Sequence, residues 1–350
     1  MFAVMLKTHN HWTMEIGDSS KRVLLTGAGF SRNWDGLLAS EFFNRLISHE
    51  NINSSDNLRA LLLQETNFEA ALHKAKTQGL SASEVRLFEQ AILDVYIDHD
   101  QAIRRTGFHG ETDINIYGVQ GFISRFYGGG DTGYIFTLNQ DLLLERKYYN
   151  YTIGSRNAPR PTLPGIPPHR DWFQTHMTDS YSGLPPDYTR TVLSASVVPD
   201  SDWPPKLKGQ FNYIKLHGSF DWRDPSGNNL LVIGGGKVSA IASSPILKWY
   251  SDVFRAVCSA GDVRLFISGY GFADEHINET IAAGVKGAKL RIFIHNTIPS
   301  ASMQTSLASM PYGKDIWPGL IGYSNRPLIE IFPGNQRRTQ EIENIERVFF

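Results

Sequence analysis

Asn139, Asp141 and His217, with the turn Gly27-Ala28-Gly29-Phe30-Ser31, are the residues of this chain whose types and placement suit chemistry on a nucleotide. A histidine titrates near neutral pH and can take a proton from a hydroxyl or a water, so His217 reads as a general base. An amide can hold a ribose hydroxyl and orient a water, and a carboxylate can bind a carboxamide. Glycines 27 and 29 permit a tight turn and close backbone approach to a ligand. A helix opening there aims its N–H groups at an anion such as a pyrophosphate. Arg32 stands where the dinucleotide fingerprint has its third glycine, so an ordinary turn is the competing reading.

Short apolar runs must position these groups. Val23-Leu24-Leu25-Thr26 leads into Gly27, and Tyr134-Ile135-Phe136-Thr137 into Leu138-Asn139-Gln140-Asp141. Tyr213-Ile214-Lys215-Leu216 leads into His217-Gly218-Ser219, and Arg264-Leu265-Phe266-Ile267-Ser268 into Gly269-Tyr270-Gly271. Such runs read as buried strands, and in an open α/β sheet ligands bind outside the carboxyl ends of the strands. The polar strand ends therefore converge on one site. A further run, Leu290-Arg291-Ile292-Phe293-Ile294, ends at His295-Asn296. There Asn296 reads either as a contact to an adenosine ribose or as a turn asparagine.

The fold expected is α/β, a Rossmann-like and mostly parallel sheet flanked by helices over residues 1–53 and 127–350. A helical module is inserted at 54–126. Within it Val85, Phe88, Ala91, Ile92 and Val95 fall at helical spacing, and Ser81 with Glu84 forms a capping box. The stretch 150–210 carries Pro159, Pro161, Pro164, Pro167, Pro168, Pro185, Pro186, Pro204 and Pro205, which exclude long helices. It reads as a long excursion over the site or toward a partner. His169, Asp171 and His176 inside it lack the spacing of a metal motif and read as surface residues. The tail, with Arg337, Arg338, Glu341, Glu343, Glu346 and Arg347, reads as a solvated helix of the kind that packs on a neighbouring subunit.

The chain has 350 residues, ample for a large core, and a formal net charge of −1, which gives no general attraction to nucleic acid or to an anionic membrane. Its single cysteine, Cys258, excludes an intrachain disulfide framework. Met1 to Lys7 lacks the basic n-region and long apolar run of a signal peptide, and no stretch is apolar for long enough to span a bilayer. A cytoplasmic protein is expected.

Taken in order, Gly27-Ala28-Gly29-Phe30-Ser31, Thr137-Leu138-Asn139-Gln140-Asp141, Leu216-His217-Gly218-Ser219 and Gly269-Tyr270-Gly271-Phe272 resemble the motifs of the Sir2 family. The block Gly271-Phe272-Ala273-Asp274-Glu275-His276-Ile277-Asn278 is similar to a run typical of the SIR2-like branch found in bacterial anti-phage defence. The resemblance extends over most of the chain and implies NAD+ as substrate. It gives His217, Asn139 and Asp141 the catalytic roles, with Asp141 on the nicotinamide carboxamide and Asn139 on a ribose hydroxyl or water. Gly27, Ala28, Gly29, Ser31 and Arg32 would cradle the phosphates, Gly269 would let the backbone close on the dinucleotide, and Asn296 would reach the ribose.

Deacylating sirtuins usually carry a four-cysteine zinc module, which Cys258 alone cannot form. No zinc, no other metal and no cofactor beyond NAD+ itself are therefore expected. The implied activity is hydrolysis of NAD+ to nicotinamide and ADP-ribose, depleting NAD during phage infection. A homo-oligomer is implied, together with a HerA-like ATPase or another phage-sensing partner. Two alternatives stay open. One is a protein deacylase or ADP-ribosyltransferase using the same chemistry; the other is a non-catalytic sensor of NAD or ADP-ribose.

Overall fold

A computed structural model describes residues 7–8, 11–12, 22–105, 113–127, 132–148, 161–166, 190–191, 207–335 and 338–350. Strands β1 (Lys7–Thr8) and β2 (His11–Trp12) pair antiparallel. The main sheet is built from β3 (Arg22–Thr26), β4 (Gly133–Thr137), β5 (Pro161–Thr162), β7 (Phe211–Lys215), β10 (Arg264–Ser268), β11 (Arg291–His295) and β12 (Leu320–Ser324). A smaller sheet holds β6 (Arg190–Thr191), β8 (Gly218–Arg223) and β9 (Asn229–Leu231).

The main sheet has seven strands in the order β12-β11-β10-β3-β4-β7-β5, and every pairing in it is parallel. With the edge strand β5 set aside, β7-β4-β3-β10-β11-β12 follows the 3-2-1-4-5-6 order of dinucleotide-binding sheets. The fold is thus Rossmann-like α/β, as the strand pattern predicts. The order reverses between β3 and β10, which pair from Arg22↔Arg264 to Thr26↔Ser268. Ligands of such sheets lie outside the strand ends at that reversal.

Burial explains the strand sequences. β4 and β7 are buried along their whole length, so they carry near-continuous apolar runs rather than alternation. Helices Ile116–Ser124, Pro245–Cys258, Glu275–Ala288 and Gln340–Phe349 bury one apolar face each in the sheet core. Pro245 sits in the first turn of its helix, where its missing N–H has no intrahelical partner to lose. Cys258 is fully buried near the end of that helix, and desolvation pushes its thiol pKa up, as befits a small core residue. The tail helix differs from a solvated one, because Ile342, Ile345 and Phe349 lie in the chain's own core.

A second core joins helices Ala39–Ile47, Glu50–Asn53, Asp56–Gln64, Phe68–Thr77 and Ala82–Arg105. Phe42, Leu46, Leu58, Leu72, Phe88 and Ile92 are among its buried members. This helical unit therefore begins ahead of residue 54, whereas helix Ile116–Ser124 packs in the sheet core through Val119, Phe122 and Ile123. The capping box forms as its sequence indicates. Ser81 N–H donates to Glu84 Oε2 at 2.9 Å, and Glu84 N–H to Ser81 Oγ at 3.2 Å. The Ser81 hydroxyl, which donates to Glu84 Oε2 at 2.7 Å, and the Ser81 N–H, with further bonds from Asn57 and Ser55, hold the Glu84 carboxyl down to about 2. Of the proline-rich stretch only 161–166 and 190–191 are described; His169, Asp171 and His176 lie outside the described residues. No helix among the described residues is long and apolar enough to cross a membrane.

Gly269 has φ +68° and a Cβ there would lie 2.1 Å from Phe30 N and 2.4 Å from Gly29 C. Gly269→Ala combines a left-handed backbone with a collision against backbone atoms, and should cost roughly 2–5 kcal/mol in urea unfolding. Gly287→Ala, in helix Glu275–Ala288 with nothing near its Cβ, should be neutral or stabilising by up to about 1 kcal/mol. Equal midpoints for the two variants would contradict this account of the glycine contact.

Candidate active site

The two loops at the strand-order reversal meet backbone to backbone. Gly27 N–H donates to Ser268 O and Gly29 N–H to Gly269 O, both at 2.9 Å, while Phe30 N–H closes the turn on Gly27 O at 2.8 Å. A Cβ on Gly27 would come within 2.8 Å of Gly269 O, and one on Gly29 within 2.8 Å of Gly269 Cα. The helix that opens here, Ala28–Ser31, is one turn long. The expected phosphate cradle is therefore corrected in one respect. The glycines are needed for loop-on-loop packing, and the Gly27, Gly29 and Phe30 N–H groups are committed to carbonyls rather than left for an anion.

Behind that contact lies a hydrogen-bonded polar cluster. Ser31 Oγ donates to Asp141 Oδ2 at 2.7 Å, and Leu143 N–H donates to Asp141 Oδ1 at 3.0 Å. Asn139 Nδ2 donates to Gly27 O and to Ser31 Oγ, each at 3.0 Å. Both amide hydrogens of Asn139 are thus in use, and the group it can offer a ligand is its carbonyl oxygen. Beneath them Lys215 Nζ bonds Asp141 O at 2.5 Å and Glu145 Oε1 at 2.8 Å, and Tyr213 O–H donates to Glu145 Oε2 at 3.1 Å. Lys215 and Glu145 are 0% and 1% exposed, so this is an ion pair without water, and desolvation pushes the Glu145 carboxyl up against the pull of Lys215.

A cavity of about 1320 Å³ opens over this cluster. It is lined by Gly27, Ala28, Gly29, Asn139, Asp141, His217, Gly269 and Asn296 from the sheet side, and by Phe68, Glu69, His73, Tyr96 and His99 from the helical unit. Ser31 is buried just behind this wall. Arg32 points elsewhere, pairing with Glu41 at 2.7 Å and donating to Gly36 O at 3.3 Å, and it is not among the lining residues. Asn296 sits in the wall but is bonded as a turn asparagine: Oδ1 accepts from Ile298 N–H at 3.2 Å and Nδ2 donates to Tyr270 O at 3.3 Å.

His217 follows β7 and is 2% exposed. Its Nε2 stands 3.1 Å from Nε2 of His276. Burial lowers the His217 pKa to about 3, against a smaller upward pull from Asp274, and burial lowers that of His276 as well. The expectation that His217 titrates near neutral pH is therefore corrected. Burial holds it neutral across the physiological range. Asp274 flanks the pair; desolvation pushes its carboxyl up, but the charge and hydrogen bond of Lys237, beside the two imidazoles, hold it below the ordinary range. Lys237 bridges Asp274 Oδ1 at 2.8 Å and Glu69 at 2.9 Å, tying the helical unit to the sheet beside His217.

Asp274, His276, Lys237, Glu69 and His99 were not among the sequence-derived site residues. His99 carries a buried Nε2 without a hydrogen-bond partner and faces the same cavity. For Asp274 and His276 a signal existed, since both stand in the block Gly271 to Asn278 that carries part of the resemblance. That block also holds its own geometry. Asp274 N–H donates to Tyr270 Oη at 3.0 Å, and Asn278 Nδ2 donates to Phe272 O at 2.7 Å. No family model matches the chain, and no curated protein matches it.

Lys215→Met strands the buried Glu145 carboxylate and should cost about 3–5 kcal/mol in urea unfolding. Adding Glu145→Gln should return at least about 1 kcal/mol of that loss, because the two residues are in contact and their effects cannot add. Strictly additive losses would show that the pair is not coupled.

Proposed function

We propose that the chain hydrolyses NAD+ at the nicotinamide–ribose bond, giving nicotinamide, ADP-ribose and a proton. The observation that carries this reading is the convergence of His217, Asn139 and Asp141, from the ends of β7 and β4, on a large cavity over the strand-order reversal. Ligands of such sheets lie across that crevice, and the cavity exceeds the roughly 300–1,000 Å³ of drug-sized ligand sites, as an extended dinucleotide requires.

In the proposed reaction the glycosidic bond breaks with its electron pair on nicotinamide, and positive charge develops on the ribose. Asn139 accepts a hydrogen bond from a ribose hydroxyl or the attacking water through its carbonyl oxygen. The carboxylate of Asp141, oriented by Ser31 and Leu143, faces the nicotinamide carboxamide. His217 accepts the proton as water bonds to the ribose carbon. A neutral imidazole in a dry site is a weak base until anionic charge arrives, and the diphosphate of the substrate supplies that charge. The resemblance to SIR2-like defence proteins supports placing this activity in the cytoplasm, in NAD depletion during phage infection, within a homo-oligomer that acts with a HerA-like ATPase or another sensing partner.

One observation favours the sensor alternative. The side-chain hydrogens of Asn139 and both carboxylate oxygens of Asp141 already have partners within the protein, which suits a rigid binding site as well as a reactive one. Incubation of the purified protein with NAD+, with and without an acyl-lysine peptide, separates the readings. Nicotinamide and ADP-ribose without peptide are the hydrolase outcome; binding without products is the sensor outcome.

His217→Ala should abolish nicotinamide release while changing NAD+ affinity by no more than about tenfold, since the imidazole acts chiefly on the transition state. Unchanged turnover would remove His217 from the mechanism. A second expectation concerns pH. Because His217 protonates near 3 rather than 6.5 in the free protein, kcat/KM should show no acidic limb near pH 6.5 attributable to it. An acidic limb near 6.5 that disappears in His217→Asn would contradict the dry-site account.

A further inference from the structure

We propose that His217, His276 and Asp274 form a site for a divalent cation of the zinc class, and that an ion seated there stops NAD cleavage by taking the His217 lone pair. The inhibitory half rests on the proposed hydrolase reading; the site itself does not. The ligand atoms of the three residues all lie within 4.8 Å of one another, and the two Nε2 atoms are 3.1 Å apart. Two nitrogens each about 2.0–2.1 Å from a tetrahedral or octahedral ion are themselves roughly 2.8–3.4 Å apart. The pair therefore stands at the separation of two ligands on one ion.

The donors suit a borderline cation. Two imidazoles and one carboxylate favour zinc and its neighbours, whereas magnesium and calcium prefer oxygen-only sets. Both rings are held neutral by their surroundings and Asp274 is held ionised, so no ligand has to lose a charge-bearing proton to bind. In the metal-free pair one ring donates Nε2–H to the other; the ion needs both Nε2 atoms bare, so that proton moves to Nδ1 of the same ring.

The surroundings complete the argument. Lys237 holds Asp274 Oδ1 at 2.8 Å and is in turn held by Glu69, an outer partner of the kind that orients a ligating carboxylate. Asp274 and Glu69 together outweigh Lys237 by one negative charge, so the local field favours a cation. All three ligands line the cavity, which leaves a further coordination position open toward it. Three protein ligands and an open position mark an exchangeable site rather than a closed structural one.

The test uses the full chain, stripped with a chelator and titrated with Zn2+ by calorimetry. One ion per chain is expected, with affinity at least roughly tenfold weaker in His276→Ala and in the milder His276→Gln. Co2+ should give the visible bands of a low-coordinate site in the wild type and lose them in either variant. Melting curves without metal identify a variant that fails to fold, and the other then carries the comparison. No binding to the wild type at roughly 100 µM Zn2+, or equal affinity in the wild type and a folded variant, overturns the site. Zn2+ should also lower nicotinamide release from NAD+, reversibly on chelation. Turnover unchanged or raised with the ion bound overturns the inhibitory half. Zn2+ binding by a chain that never cleaves NAD+ leaves the site standing and removes the hydrolase reading instead.

Discussion

Gly29 and Gly269 touch backbone to backbone, and the mouth of the sheet depends on that contact. β3 and β10 run parallel and in register up to Thr26 and Ser268, then their chains must leave in different directions. Glycine at both positions lets the two departing loops close on each other through Gly29 N–H and Gly269 O, without a Cβ between them. The crevice therefore has a fixed floor. From β4, Asn139 reaches across to Gly27 O and Ser31 Oγ, and Asp141 to Ser31, so the neighbouring strand end is tied to the same turn. A looser closure would move the turn and with it every side chain bonded to it.

The second support is electrostatic. Lys215 and Glu145 are buried ions beneath the strand ends, an arrangement that a pair of apolar residues could match for stability alone. What the ions add is direction. Lys215 bonds the Asp141 carbonyl, Glu145 holds Lys215 and receives the Tyr213 hydroxyl, and the Asp141 side chain takes Ser31 and the Leu143 N–H. The orientation of one carboxylate at the cavity is thereby fixed by a chain of bonds from the interior of the sheet.

The sheet was legible because its strands are buried on both faces. Continuous runs such as Tyr134 to Thr137 and Arg264 to Ser268 have few other readings, and their polar ends mark the side on which a ligand lies. The Ser81–Glu84 capping box was legible for a similar reason, being a local signal with a local consequence. Groups whose partners come from distant elements were not. Arg32, three residues past the last glycine of the loop, reads as a phosphate ligand until Glu41 is found beside it. The helical unit's start ahead of residue 54 is set by which helices share Phe42 and Leu46 as core, a matter of packing rather than periodicity. The protonation of His217 depends on burial that only the folded chain provides, so a neutral-pH base and a buried neutral imidazole look identical in sequence.

Lys237 connects the two bodies of structure at the point where chemistry is proposed. It sits between Glu69 of the helical unit and Asp274 of the sheet unit, and both carboxylates raise its pKa against desolvation. Its neighbour on the other side is the His217–His276 pair, which it biases toward the neutral form. An anionic ligand entering the cavity acts on this balance from outside. Negative charge near His217 raises its affinity for a proton, and competes with Glu69 and Asp274 for Lys237. Such a ligand would thus make the imidazole a better base and weaken the ionic tie of the helical unit to the sheet, both through one ammonium group.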